Sequence, residues 1–114
     1  MLGLVLCAGT FSQAQKYEPL LGIWDAETED GQYTFEFKFF LQEGKLAGIF
    51  TGQAGESEME DLTFEDNKVV FLVTIDAGGQ EMEIDFSATI DGDNLEGILA
   101  LEFGEANILG KKRK

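Results

Sequence analysis

The chain has 114 residues, with 22 Asp plus Glu against 8 Lys plus Arg for a formal net charge of −14, no His and a single Cys. That length accommodates one small domain, and without imidazole or a second thiol it cannot assemble the ligand sets of zinc, copper or haem, nor a Ser-His or Cys-His catalytic pair. The acidity argues equally against nucleic acid and against anionic membrane surfaces, both of which are bound through Lys and Arg.

The first element is the apolar run Leu2 to Phe11, followed by Ser12-Gln13-Ala14. It is too short to span a bilayer but matches the apolar region of a secretory signal, with small residues at Ser12 and Ala14 before a cleavage point. Residues 1–14 are therefore expected to be a signal peptide, and the protein to be secreted or periplasmic with no transmembrane segment in the mature chain. Beyond Cys7 there is no further Cys, so the mature domain must hold together through its core alone. Residues 15–19 read as a linker and 20–114 as a single domain.

From about residue 20 the apolar period is two. Tyr33, Phe35, Phe37, Phe39 and Leu41 alternate with Thr34, Glu36 and Lys38; Val69, Phe71, Val73 and Ile75 follow, then Met82, Ile84, Phe86, Ala88 and Ile90 against Glu81, Glu83, Asp85, Ser87 and Thr89. Such alternation is the mark of half-buried strands. Turn signals at Asp30-Gly31, Glu43-Gly44, Ala54-Gly55, Asp66-Asn67, Gly78-Gly79, Asp91-Gly92-Asp93-Asn94 and Phe103-Gly104 divide the chain into eight strands. Pro19 stands before the first of them, where its missing N–H removes no ladder bond.

Offset by 49 residues, the chain matches itself at Phe37/Phe86, Leu46/Leu95, Gly48/Gly97, Ile49/Ile98, Gly55/Gly104 and Glu56/Glu105. The domain thus reads as two four-stranded repeats, about 20–65 and 69–114. The expected fold is all-β, an eight-stranded antiparallel up-and-down barrel, since closure removes unpaired edges. A two-sheet β-sandwich is the alternative.

An eight-stranded barrel is just wide enough to be packed by side chains or to hold one small ligand. Trp24, Tyr33, Phe35, Phe37, Phe39, Phe50, Phe64, Phe71, Met82, Ile84, Phe86, Leu99, Leu101 and Phe103 take inward positions, and Gly48, Gly52, Gly97 and Ala88 leave room for a hollow near one end. Trp24, Phe35, Phe37, Phe50 and Phe86 are accordingly the candidate lining for a small apolar ligand, with plain core as the competing reading. On the outer face Leu21, Ile23, Phe40, Ile49, Val70, Leu72 and Ile98 form a candidate interface for a homo-oligomer or protein partner. The carboxylates Glu81, Glu83 and Asp85, and Glu58, Glu60 and Asp61, read as solvated faces rather than a glycosidic acid-base pair. Asp91, Asp93 and Asn94 read as a turn rather than a calcium loop. No metal, cofactor or catalytic residue is assigned.

Gly22-Ile23-Trp24 opening the first strand, with Gly110-Lys111-Lys112-Arg113 at the end of the meander, resembles the calycin-like barrels, the lipocalin and avidin group; the Gly-x-Leu-x-Gly pattern is also similar to short secreted bacterial barrel domains. The resemblance implies that Trp24 plugs one barrel end beneath Lys112 or Arg113. The expected role is binding or assembly without catalysis. A carrier of a small apolar ligand is the alternative, and a carboxylate hydrolase a distant third.

Overall fold

The computed structural model describes residues 16–53, 55–77, 79–102 and 104–113. The expected signal peptide 1–14 and the inward reading of Phe103 lie outside the described residues. Among the described residues nine strands follow one another: β1 (Gly22–Thr28), β2 (Thr34–Gln42), β3 (Lys45–Gly52), β4 (Gly55–Glu58), β5 (Glu60–Glu65), β6 (Lys68–Ala77), β7 (Gln80–Asp91), β8 (Asn94–Leu101) and β9 (Gly104–Lys112). They form one antiparallel sheet in the order β4-β3-β2-β1-β9-β8-β7-β6-β5, so the two-sheet sandwich does not form.

Turn chemistry sets this path. Glu43-Gly44 and Asp66-Asn67 are two-residue loops whose four residues all have positive φ (54°, 80°, 52° and 64°). That is the mirror-image turn whose twist matches the right-handed twist of the flanking strands. The register of β2 on β3 (Phe37↔Phe50) recurs 49 residues later in β7 on β8 (Phe86↔Leu99), as does that of β3 on β4 (Phe50↔Ser57) in β8 on β9 (Leu99↔Ala106). The first pair departs from the pattern: Gly22 faces Phe39, whereas Phe71 faces Phe86.

The sheet has nine strands rather than the expected eight because the segment between Gly55 and Asp66 is divided at Met59. Its first part pairs with β3 (Ile49↔Glu58) and its second with β6 (Glu60↔Leu72, Thr63↔Val70), with a register shift between Glu60 and Thr63. Asp61 within the shift has φ 52°. A bulge bends a strand and changes which face successive side chains take: Ser57 and Met59 are half-buried before it, Leu62 and Phe64 turn inward after it. The two outermost strands of the sheet are thus consecutive in the chain, and among the described residues no ladder closes the sheet between them. One side chain crosses this seam: Ser57 Oγ of β4 donates to the Thr74 carbonyl of β6 (3.2 Å). Beside it Thr74 Oγ1 donates to Glu60 Oε2 (3.2 Å), and the backbone Met59 N donates to the Gly48 carbonyl (3.0 Å).

Alternating side chains of every long strand meet on the inner face. Trp24, Phe37, Phe39, Phe50, Phe71, Phe86, Val69, Val73, Leu95 and Ile108 are all buried there, and each large side chain removed from water contributes about 1.5–3 kcal/mol. Residues 16–19, part of the stretch 15–19 expected as a linker, form a tight turn through which Tyr17 reaches the core. The amides of Leu20 and Leu21 both donate to the Tyr17 carbonyl (2.9 and 3.0 Å), Leu20 is completely buried, and Tyr17 and Leu21 pack against the core. Tyr33, expected inward, is 52% exposed. It precedes β2, and its N–H donates to Thr28 Oγ1 (3.2 Å) while its carbonyl accepts from Thr28 N (2.9 Å), which fixes a turn in place of an extended residue.

Candidate functional site

The antiparallel alternation defines two ends. The end at which β1 begins is closed by Trp24, whose Nε1–H donates to the Leu20 carbonyl at 2.8 Å in a buried setting. Strand β9 runs back along β1 with Trp24 opposite Lys112. The Lys112 ammonium lies 5.7 Å from the Trp24 ring centroid and donates to the Pro19 carbonyl (3.3 Å), an arrangement in which the ring face attracts the cation. Arg113 goes elsewhere: Nε donates to Asp25 Oδ2 (3.1 Å) and Nη2 to Glu36 Oε1 (2.8 Å), on the outer wall. The guanidinium holds the Asp25 carboxyl below the usual aspartate range, chiefly by this hydrogen bond.

The interior between the ends is occupied by the aromatic side chains themselves. Phe86 stacks on Phe71 with ring centroids 4.8 Å apart and meets Phe37 edge-on at 5.4 Å, Phe50 at 5.4 Å and Phe35 at 6.1 Å. These are favoured separations for aromatic pairs. Of the five candidate ligand-lining residues, Trp24, Phe37, Phe50 and Phe86 are buried among one another and their neighbours, and Phe35 is half-buried at the far end of the same cluster. The glycines expected to leave a hollow are filled as well. A Cβ on Gly48 would strike Met59 Sδ, one on Gly52 would lie 3.1 Å from the Phe50 ring, and one on Gly97 would strike the Ser87 carbonyl and lie 2.6 Å from Ala88 Cα. Met59 is the residue that sequence reasoning missed; the parity change between Met59 and Leu62 was the available signal.

At the end remote from Trp24, Phe35, Ile75, Met82, Leu101 and Ala106 form a half-buried apolar ring over the Phe cluster. Thr28, also buried there, donates through Oγ1 to Asp30 Oδ1 at 2.7 Å. That bond and the Gln32 amide hold the Asp30 carboxyl below its usual range.

The proposed interface residues do not make one strip. Ile23, Phe40 and Ile49 are half-buried on β1–β3, where Lys38 pairs with both Ile23 and Ile49 and its ammonium lies 5.9 Å from the Phe40 ring centroid. Val70, Leu72 and Ile98 lie on β6 and β8, with Ser87 and Asp85 of β7 interposed in the registers Val70↔Ser87, Ser87↔Ile98 and Leu72↔Asp85. Val70 and Ile98 are 39% and 41% exposed, and Leu109 on β9, not foreseen, is 45% exposed. Leu21 packs on the core and joins neither face.

A concavity of about 1090 Å³ runs across β2, β1, β9 and β8, lined by the outward Asp25, Glu27, Glu36, Glu96, Leu109 and Lys111 and also by Ala26, Phe35 and Leu95. Of the remaining carboxylates, Glu81, Glu83, Asp85, Glu58, Glu60 and Asp61 are exposed. The Asp91–Asn94 turn joins β7 to β8, and its Asp93 carbonyl accepts from Lys112 N (2.9 Å).

No family model matches the chain, and no curated protein matches it. Among solved structures, one described as a redesigned beta barrel is similar to it with a TM-score of 0.52, over 87% of this chain and 95% of that chain, at 14% identity. At that identity the likeness shows the fold alone: an all-β, barrel-like architecture. No helix among the described residues is long and apolar enough to cross a membrane.

Proposed function

We propose that the protein is a non-catalytic, exported module for binding or assembly that works through its outer surface and its ends, not through an internal ligand chamber. The observation that carries this reading is the filling of the interior by mutually packed rings, Phe86 touching Phe71, Phe37, Phe50 and Phe35. Ligand chambers that hold a small molecule need several hundred Å³ of enclosed space, and rings packed 4.8 to 6.1 Å apart argue against such a chamber at the centre of the core. The exposed apolar residues Val70, Ile98 and Leu109 supply contact surface for a partner, and the exposure of the acidic groups supports a role without acid-base catalysis.

In the same reading the fold is a calycin-like eight-stranded barrel made of two repeats, with β4 and β5 counted as one bent strand. Support comes from the registers that recur 49 residues apart and from Trp24 beneath Lys112. The test is a titration of Trp24 fluorescence with an uncharged apolar ligand. The proposal expects no saturable one-to-one change, and a saturable change would replace it with a carrier.

A further inference from the structure

The cations of this chain are sorted along the strand direction, while acids stand at both ends. Turns β1–β2, β3–β4, β6–β7 and β8–β9 share the end remote from Trp24. They and the strand residues beside them carry Glu29, Glu56, Glu81, Glu102 and Glu105, all exposed, besides Asp30 and Asp76, which accept hydrogen bonds within their own turns. Among the described residues no Lys or Arg stands at this end. Lys16 precedes β1, Lys45 and Lys68 follow the turns of the opposite end, Lys111 to Arg113 finish β9 there, and Lys38 lies opposite Ile23.

Inside this acidic rim sits the half-buried apolar ring of Phe35, Ile75, Met82, Leu101 and Ala106. The ring is shallow because Phe35 rests on Phe50 and Phe86, with centroids 5.5 and 6.1 Å away.

We propose that this end docks a basic polypeptide segment of another protein, with one aromatic or aliphatic side chain on the ring and flanking Lys or Arg side chains reaching the glutamates. Charge complementarity selects this occupant. A lone amine cannot answer carboxylates spread over four turns. A second copy is disfavoured by a net charge of −14 on each chain, and two of the cations at its opposite end already have acceptors within the chain, Lys112 on Trp24 and Pro19, Arg113 on Asp25 and Glu36. The inference rests on the reading of a filled interior.

The experiment is a titration of the full chain with the peptide acetyl-Lys-Lys-Phe-Lys-Lys-amide, followed by amide NMR shifts and calorimetry, with the Glu-for-Lys peptide as control. The expected result is saturable binding with shifts confined to residues 29–35, 52–56, 75–82 and 101–106. Affinity should fall when salt rises from about 0.05 to about 0.3 M, and by at least about tenfold in the double variant Glu102→Lys/Glu105→Lys. The charge-neutral Glu102→Gln/Glu105→Gln should weaken binding less. Absence of binding, or shifts scattered over the acidic outer strands, would overturn the proposal and leave the filled-interior reading standing. Shifts at Phe37, Phe71 and Phe86 with an uncharged apolar probe would instead remove that underlying reading.

Discussion

Lys112 and Trp24 face one another across the β9–β1 ladder, and the ammonium of the first lies 5.7 Å from the ring centroid of the second. One end of the sheet is thereby sealed by residues from opposite ends of the domain, with the indole N–H turned down to the Leu20 carbonyl. Lys112→Met, which keeps the aliphatic stem and removes the cation, is expected to cost about 0.5–1 kcal/mol. Trp24→Phe leaves the Leu20 carbonyl without its donor and should cost about 1–3 kcal/mol beyond the lost contact area. Urea unfolding of the two variants measures both, and equal effects would contradict this division.

Phe86 touches four other rings, so truncating it should be among the most damaging single changes. Phe86→Ala is expected to destabilise by about 3–5 kcal/mol. If it still folds, it should bind a benzene-sized ligand that the unaltered chain rejects, since an apolar void of that kind stays dry and accepts such a guest. Calorimetry with benzene on both proteins is the check.

Two inward glycines separate backbone from side-chain crowding. A Cβ on Gly97 runs into the Ser87 carbonyl and the Ala88 backbone, whereas one on Gly48 meets the flexible tip of Met59. Gly97→Ala should therefore cost about 1–3 kcal/mol. Gly48→Ala should cost less, because Met59 can choose another rotamer. Comparable unfolding midpoints for the two variants would show that the seam at Met59 is as rigid as the β7–β8 ladder.

How much of this was legible in the sequence differs by level. The period of two placed Phe35, Phe37, Phe50, Phe71 and Phe86 on one face, and Glu43-Gly44 and Asp66-Asn67 marked their turns, because alternation and positive φ are local properties. Two other features were not local. The break at Met59 depends on which neighbour each half of the strand pairs with, β3 or β6. Tyr33 kept the parity of Phe35, yet its hydrogen bonds to Thr28 hold it in the turn. For the candidate site, the inward residues were readable but not that they fill the space they enclose, since that depends on ring orientation and on Met59 over Gly48. That one end carries acids with no Lys or Arg among the described residues became visible only once the strands alternated in space.

Stability should also record the Asp25–Arg113 pair. The folded-state pKa of Asp25 is lowered from its ordinary 3.8, chiefly by the hydrogen bond from Arg113. Its contribution is therefore present above the unfolded pKa and is lost as pH falls through the lowered folded value. Both side chains are about half exposed, 56% for Asp25 and 47% for Arg113, so solvent screens the pair and the effect is small. Asp25→Asn should flatten the acid limb of the stability curve slightly at low salt and leave it unchanged at high salt; an effect that persists in high salt would assign Asp25 a different role.

The filled interior is tested most directly by native mass spectrometry of the protein purified from cells that produce it. A filled interior predicts a mass equal to the polypeptide with no small-molecule adduct. A discrete one-to-one adduct of apolar character, retained through purification and released on unfolding, would contradict it and make Phe35, Phe37, Phe50 and Phe86 the walls of a carrier.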